Sequence, residues 1–130
     1  MSIKELAEKY IKAEAEAWET GNCDNLQKLE DPDVIWHLMA RNQEVVGWEA
    51  HKQFILGAWQ MVLKIKDEWE FLTGDDNMFA LHHKSISKFR GGTPGSASGD
   101  KETTSDTLMV MRLKNGRVAE VWTNGSSTIK

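Results

Sequence analysis

The segment MRLKNGRVAEVW, residues 111–122, contains two β-like runs on either side of Asn115-Gly116. Asn-Gly is favoured in the two-residue turns of β-hairpins, because both central positions require a positive φ. The segment therefore predicts a hairpin whose strands cover residues 102–114 and 117–126. Two further strands are predicted over residues 66–73 and 77–89, with the Gly- and Ser-rich segment 91–99 as a loop. The C-terminal half is thus predicted to be a β-meander.

The N-terminal half shows helical periodicity instead. Residues 3–20 place their apolar side chains on one stripe, and Gly21 is a natural helix end. Shorter β-branched runs predict strands in this half as well. The remaining predictions are helices over 23–30 and 48–64 and strands over 34–39 and 45–47. Helices followed by mostly antiparallel strands predict an α+β fold, with helices on one face of a curved sheet and one domain over residues 1–130.

The composition excludes several classes of partner. The 130 residues include 16 basic and 20 acidic side chains, for a net charge of −4. Because there is no basic stripe, we expect neither nucleic acid nor an anionic membrane as a partner. One cysteine, no signal-like start and no long apolar run favour a cytoplasmic chain. Six tryptophans indicate either a wide core or an aromatic cavity.

Four landmarks occur in order: Trp18–Leu29 (WETGNCDNLQKL), Asp33–His37 (DVIWH), Gly47 with a helix behind it, and Met111–Trp122. Together they resemble the nuclear transport factor 2-like superfamily, in particular its SnoaL-like branch, which is related to polyketide cyclases and ketosteroid isomerases. The resemblance covers about residues 4–124. It implies a cone-shaped α+β barrel, in which a strongly curved sheet wraps around the helices and leaves a pocket. It also implies a homodimer formed through the outer face of the sheet.

The resemblance does not extend to the steroid isomerase residues. The position of the isomerase tyrosine on the first helix is Glu14, the position of the aspartate base is Leu38, and the position of the neutral aspartate donor is Met109. The base and both oxyanion donors of that mechanism are therefore missing, and we do not expect the mechanism here.

Glu14 is the first candidate catalytic residue. It lies near the centre of the apolar stripe of the first helix. A carboxylate facing an apolar interior is unfavourable when it is ionised and unpaired, so its pKa should be raised unless a cation or a donor compensates. A raised pKa suits a general acid or base. The alternative is a structural pair with an Arg, a His or a Trp N–H.

Three further polar residues are candidate catalytic groups. His37 follows Trp36 on a strand with two apolar faces, and we expect it to line the cavity, although a structural role is the alternative. His82 and His83 must face opposite sides, and the more apolar face favours His83 for the interior. His83 with Glu14 or Asp106 would form an acid/base dyad near neutral pH.

Asp106 lies in the polar run Thr103–Thr107, which is more typical of a solvated strand face. A β-bulge would be needed to turn it inward. The substrate-binding wall is predicted to be aromatic and apolar, with core packing as the alternative for each member. Its predicted members are Trp18, Trp36, Trp59, Phe79, Met109 and Trp122. Trp69, between two glutamates, is assigned to the outer face.

These features predict a cofactor-free enzyme that performs acid/base chemistry on a small apolar, cyclic molecule by isomerisation, cyclisation or dehydration. No zinc motif and no nucleotide-binding glycine pattern occurs, so neither a metal nor a cofactor is expected. A non-catalytic binding or dimerisation module is the first alternative. A water-activating hydrolase is the second, and it would need Glu14 and Asp106 close together.

Overall fold

The computed structural model describes residues 1–90 and 102–129, so the predicted loop over 91–99 lies outside the described residues. The chain begins with two helices, continues through two strands and a third helix, and ends in four long strands. These elements are α1 (Ile3–Thr20), α2 (Asp24–Leu29), β1 (Glu30–Leu38), a 3-10 turn (Met39–Arg41), β2 (Gln43–Val46), α3 (Trp48–Met61), β3 (Val62–Gly74), β4 (Met78–Phe89), β5 (Thr103–Lys114) and β6 (Arg117–Ile129). Each predicted helix and strand is present.

Local signals account for the two ends of α1. The Ser2 hydroxyl accepts a hydrogen bond from the Glu5 backbone N–H at 3.1 Å, which satisfies one of the free donors of the first turn. Gly21 takes the left-handed conformation at φ 78° and donates to the Ala17 carbonyl. No helix of the described residues is long and apolar enough to cross a bilayer.

The β5–β6 hairpin confirms the prediction made from Asn115-Gly116. These two residues have φ values of 53° and 77°, and they join Lys114 to its cross-strand partner Arg117. A positive φ at both central positions is the conformation that makes Asn-Gly favourable in this turn.

The six strands form one mixed sheet in the order β2-β1-β6-β5-β4-β3. All neighbouring pairs are antiparallel except β1 and β6, which are parallel. The sheet is curled but not closed, since β2 and β3 remain its two edges. The predicted α+β class, with N-terminal helices on a strongly curved, mostly antiparallel sheet, is confirmed.

Several boundaries differ from the sequence-based prediction. Strand β1 begins at Glu30 rather than at Val34, and β2 begins at Gln43 rather than at Val45. The junction of α3 with β3 differs as well. Helix α3 ends at Met61 rather than near residue 64, and β3 begins at Val62 rather than near residue 66. The reason is tertiary, because Val62 and Leu63 pair with Phe89 and Lys88 of β4 and so join the sheet.

The helices cover the concave face of the sheet, and the core lies between them. Tyr10 of α1 is fully buried, and its ring contacts the Phe79 ring of β4 edge-on at 6.2 Å. The core is dense near the hairpin end of the sheet, where Leu81 and Met111 are fully buried. The other end of the concave face leaves the space described next.

Candidate active site

A cavity of about 170 Å³ lies between α1, α3 and the concave face, and we call it the inner cavity. Most of its wall is apolar or aromatic, and three of its side chains can carry a proton or a charge. The wall consists of Trp18, Trp36, Leu38, Val45, Phe54, Trp69 and Met109, with the polar residues Glu14, His51, His83, Thr107 and Thr123.

Glu14 is buried in this wall with 4% of its surface exposed. Its Oε2 atom has no hydrogen-bond partner within residues 1–90 and 102–129. The pKa of Glu14 is raised from 4.5 to about 7, and burial is the main cause. The charge of His51 lowers this pKa, whereas the charge of Glu30 raises it further. Near neutral pH this carboxyl group therefore exists in both protonation states, as a general acid or base requires.

His83 enters the inner cavity from β4 and is held on two sides. Its Nε2 atom is hydrogen-bonded to Asp67 of β3, and its ring stacks on Trp69 at 3.8 Å with an angle of 12° between the planes. Lys64 Nζ lies 2.7 Å from the other Asp67 oxygen. Burial alone would raise the pKa of Asp67, but the hydrogen bonds from His83 and Lys64 outweigh it and lower the pKa from 3.8 to about 2.

His51 forms a second carboxylate-held histidine on the opposite wall. Its Nδ1 atom lies 2.8 Å from Glu30 Oε1, and its ring stacks on Trp36 at 4.2 Å. Glu30 is 1% exposed and also accepts hydrogen bonds from the Tyr10 hydroxyl at 2.7 Å and from the Trp36 indole at 3.4 Å. Burial, followed by the charge of Glu30, raises the pKa of Tyr10 well above its ordinary value, so Tyr10 remains a donor.

The structure brings five of the predicted site residues to the inner cavity. These five are Glu14, His83, Trp18, Trp36 and Met109. Glu14 turns inward as its place on the helical stripe predicts, and His83 lies inside whereas His82 lies outside. What these residues do there remains a prediction.

His37 and Trp122 lie on the convex face, contrary to the expectation that they line the cavity. His37 is hydrogen-bonded to Glu120 at 2.7 Å, lies 2.6 Å from Glu44, and stacks on Trp122. The hydrogen bond from His37 is the main cause that lowers the pKa of Glu120. Alternation allowed either face of β1 to point inward, and the packing of Trp36 against His51 selects the face without His37.

Asp106 also lies on the convex face, and its side chain is 54% exposed. It pairs with His82 Nε2 at 2.5 Å, and no bulge interrupts the β4–β5 register beside it. Glu14 and Asp106 therefore lie on opposite faces of the sheet, whereas the hydrolase alternative requires them to lie close together.

Two predicted wall residues serve the scaffold instead. Phe79 is 1% exposed and packs in the core against Tyr10. Trp59 lies beside Gly21 and donates its indole N–H to the Glu19 carbonyl at 3.2 Å, away from the inner cavity.

Trp69 was assigned to the outer face, and this assignment is wrong. Its charged neighbours Glu68 and Glu70 occupy the convex side of β3, so alternation turns Trp69 inward onto His83. The same alternation places Asp67 inside, and it could have identified Asp67 from the sequence. His51 lies beside the apolar stripe of α3, but no sequence pattern links it to Glu30.

A second cavity of about 620 Å³ adjoins the first, and we call it the outer cavity. The two share Trp18, Phe54, His83 and Thr107 as wall residues. The remaining wall of the outer cavity carries two cations, several hydroxyl groups and a few apolar side chains. It consists of Arg41, Ala58, Val62, Lys64, Ser85, Ser87, Phe89, Thr103 and Ser105. Within the part of the chain that the structure describes, no three His, Cys, Asp or Glu side chains are grouped to hold a metal ion.

The family described as SnoaL-like polyketide cyclase matches residues 8–124 of this chain. The chain belongs to this family. Membership places it among small-molecule enzymes at the level of the family, without specifying a reaction or a substrate. No curated protein sequence matches the chain.

Solved structures share the fold of this SnoaL-like protein at low sequence identity. A proposed isomerase from Rhodopseudomonas palustris superposes with a TM-score of 0.77 at 12% identity, covering 93% of this chain and 89% of that one. A proposed SnoaL-like polyketide cyclase from Mesorhizobium loti has a TM-score of 0.73 at 20% identity, with 95% and 99% covered. A proposed polyketide cyclase from Pseudomonas putida has a TM-score of 0.72 at 16% identity, with 95% and 91% covered.

Proposed function

We propose that this SnoaL-like protein catalyses proton transfer on a small, apolar, cyclic substrate without a cofactor, in an isomerisation, a cyclisation or a dehydration. The observation that carries the proposal is the composition of the inner cavity. One mostly apolar space is lined by the carboxyl group of Glu14, whose Oε2 atom has no partner among the described residues, and by two histidines, each held by a carboxylate. Perturbed acid/base groups that converge on an apolar cavity are typical of active sites.

In the proposed reaction, ionised Glu14 takes a proton from a carbon beside a carbonyl group of the substrate. The electron pair of the broken C–H bond moves into the carbonyl oxygen and forms an enolate. A protonated histidine donates to this oxygen, and its partner carboxylate stabilises the imidazolium. Where a C=C bond is conjugated with the enolate, Glu14 returns the proton to the far carbon of that system and gives an isomer. Where the enolate carbon instead attacks a second carbonyl group, a ring forms and the new alkoxide takes the proton from Glu14.

His83 is the histidine that we assign to the acid role. The hydrogen bond to Asp67 and the stack on Trp69 fix its ring, and His83 lies in the walls of both cavities. His51, held by Glu30, lies on the wall formed by α3 and lowers the pKa of Glu14 through its charge. We assign it a positioning role, because it sets how readily Glu14 releases its proton.

The volume of the inner cavity limits the part of the substrate that reacts. An engineered apolar cavity of ~150 Å³ binds benzene, and the inner cavity has about 170 Å³. It therefore suits a single six-membered ring, with three indoles and Phe54 as its walls.

The test is hydrogen–deuterium exchange at the α-carbon of cyclohexanone in D₂O, followed by NMR. We expect the protein to accelerate exchange, E14Q to lose about 100-fold or more of that acceleration, and H83Q to lose about tenfold. H82Q is the matched control, because His82 is the neighbouring histidine, is also paired with an aspartate and lies on the convex face. Cyclohexanone seen bound in the inner cavity without accelerated exchange would contradict the enzyme proposal.

That outcome would favour the second candidate function, a non-catalytic ligand-binding module of the same fold. Glu14, Leu38 and Met109 stand where the steroid isomerases carry their reactive residues, which supports this alternative.

We also propose that the protein forms a homodimer through the convex face of the sheet. Leu108 and Val110 of β5 expose 55% and 37% of their surfaces on this face, and Trp122 lies opposite Val110 on β6. An exposed apolar sheet surface of this kind is typical of a protein–protein interface.

A further inference from the structure

The outer cavity differs from the inner cavity in charge. Its wall contains the cations Arg41 and Lys64 and no aspartate or glutamate among the described residues. Lys64 is already paired with Asp67 at 2.7 Å. Arg41 forms no salt bridge with any described residue, and its guanidinium lies 5.9 Å from the centre of the Phe54 ring. Among the described residues, the exposed Arg41 is therefore the cation of this wall without a carboxylate partner, although the whole chain carries a charge of −4.

Hydroxyl groups face the same space. Ser85 and Ser87 of β4 and Thr103, Ser105 and Thr107 of β5 lie in its wall, because alternate residues of the two strands point to the concave side. The Ser105 hydroxyl is hydrogen-bonded to that of Ser127 at 3.0 Å, and a hydroxyl group can donate to an anionic oxygen. Hydroxyl donors beside one arginine suit a ligand with a single negative charge.

The two cavities adjoin at a shared wall formed by Trp18, Phe54, His83 and Thr107. A ligand whose ring fills the inner cavity must extend its remaining part past these side chains. The wall beyond them presents the apolar side chains Ala58, Val62 and Phe89 as well as its polar groups.

We propose that the outer cavity binds a carboxylate and that the substrate is an amphiphilic acid, namely a ring joined to a short apolar chain that ends in a carboxylate. A planar carboxylate matches the paired N–H groups of Arg41. This inference rests on the proposed function for the place of the reacting ring, and it adds the chemical class of the substrate.

The test compares two probes that differ in charge at the end of the chain: 4-phenylbutyrate and 4-phenyl-1-butanol. We expect calorimetry to show tighter binding of the acid to the unchanged protein. R41Q should weaken binding of the acid about tenfold or more and change binding of the alcohol less than twofold. R112Q is the matched control, because Arg112 is paired with Glu120 on the convex face, and it should affect neither probe.

Any of three results would overturn the inference. R41Q could weaken both probes equally, the unchanged protein could bind the alcohol as tightly as the acid, or it could bind neither probe. E14Q separates this inference from the proposed function. If E14Q still exchanges cyclohexanone normally while R41Q selectively loses 4-phenylbutyrate, the acid/base proposal fails and the carboxylate site stands. If E14Q loses exchange and R41Q binds both probes normally, the carboxylate site fails and the acid/base proposal stands.

Discussion

At the scale of single residues, the inner cavity contains buried carboxyl groups, whose ionised forms are energetically unfavourable unless hydrogen-bond donors stabilise them. Glu14 has an oxygen without a partner, whereas Glu30 accepts three hydrogen bonds and Asp67 accepts two. The pKa of Glu14 is raised and that of Asp67 is lowered, because donors stabilise the ionised form and burial destabilises it. Of these carboxyl groups, Glu14 is the one whose pKa is raised to about 7.

The first prediction concerns the stability of E14Q as a function of pH. Folding raises the pKa of Glu14 from 4.5 to about 7. The folded state therefore binds more protons than the unfolded state between these values, and the free energy of unfolding falls as the pH rises through this range. E14Q cannot show this loss, so between pH 4 and pH 8 it should gain up to about 3 kcal/mol relative to the unchanged protein.

Chemical denaturation at pH 4, 6 and 8 measures this difference. E8Q is the control, because Glu8 is exposed on the same helix and lies outside the inner cavity. A constant difference between E14Q and the unchanged protein would show that Glu14 titrates normally.

The second prediction concerns Asp67, whose pKa falls from 3.8 to about 2 on folding. A lowered pKa stabilises the folded state above pH 3.8, and this stabilisation is lost as the pH falls from 3.8 towards 2. D67N should therefore lower the free energy of unfolding by about 2 kcal/mol at pH 7 and by little at pH 2. D106N, on the exposed pair of the convex face, should cost much less in the same urea titrations.

At the scale of elements, strands β5 and β6 are packed closely at the wall that the two cavities share. Gly125 of β6 lies opposite Thr107 of β5, a residue in the wall of both cavities. A Cβ at Gly125 would collide with the Thr107 side chain and lie 3.1 Å from the Asp106 carbonyl. A glycine is therefore required here by the space between two strands, whereas Gly57 of α3 has no atom within 4 Å of such a Cβ.

The third prediction is a pair of substitutions with opposite sign. G125A should destabilise the protein by about 1–3 kcal/mol, because Thr107 must move. G57A should stabilise it by up to about 1 kcal/mol, because alanine has the higher helix propensity. Thermal unfolding of both variants checks the pair, and a stable G125A protein would contradict the close packing of β5 and β6.

At the scale of the whole molecule, the curled sheet has a concave face that holds the cavities and a convex face that carries its own polar network. His82 with Asp106, and His37 with Glu120, both lie on the convex face near the exposed Leu108 and Val110. Substitutions on one face therefore leave the other face unchanged. For this reason H82Q and R112Q, on the convex face, are controls for substitutions in the cavities.

The fourth prediction concerns the proposed dimer. L108K places a charge on the convex face, where burial against a second copy would be unfavourable. Sedimentation at tens of micromolar should show a dimer for the unchanged protein and a monomer for L108K. M61K, at an exposed methionine of α3, is the control and should remain a dimer. A monomeric unchanged protein would contradict the proposal.

Local patterns were sufficient for the elements and for several site residues. The period of α1 predicted the inward Glu14, the Asn-Gly pair predicted the hairpin, and the apolar alternation of β4 predicted the inward His83. These features depend on neighbours within a few positions, so they can be inferred without knowledge of the fold. The alternation of β3 also places Asp67 and Trp69 on the inward face. The glutamates on either side of Trp69 point outward, so they do not indicate that Trp69 is exposed.

The sequence by itself determined the class of fold, the order of its elements and the inward stripe of α1, because these follow from short-range periodicity. Only the tertiary structure decided which face of β1 lines the cavity, through the parallel pairing of β1 with β6 and the stack of Trp36 on His51. It alone joined His51 to Glu30 and His83 to Asp67. The partners in each pair are separated by 21 and 16 positions in the chain, and no local pattern determines which distant carboxylate a buried histidine meets.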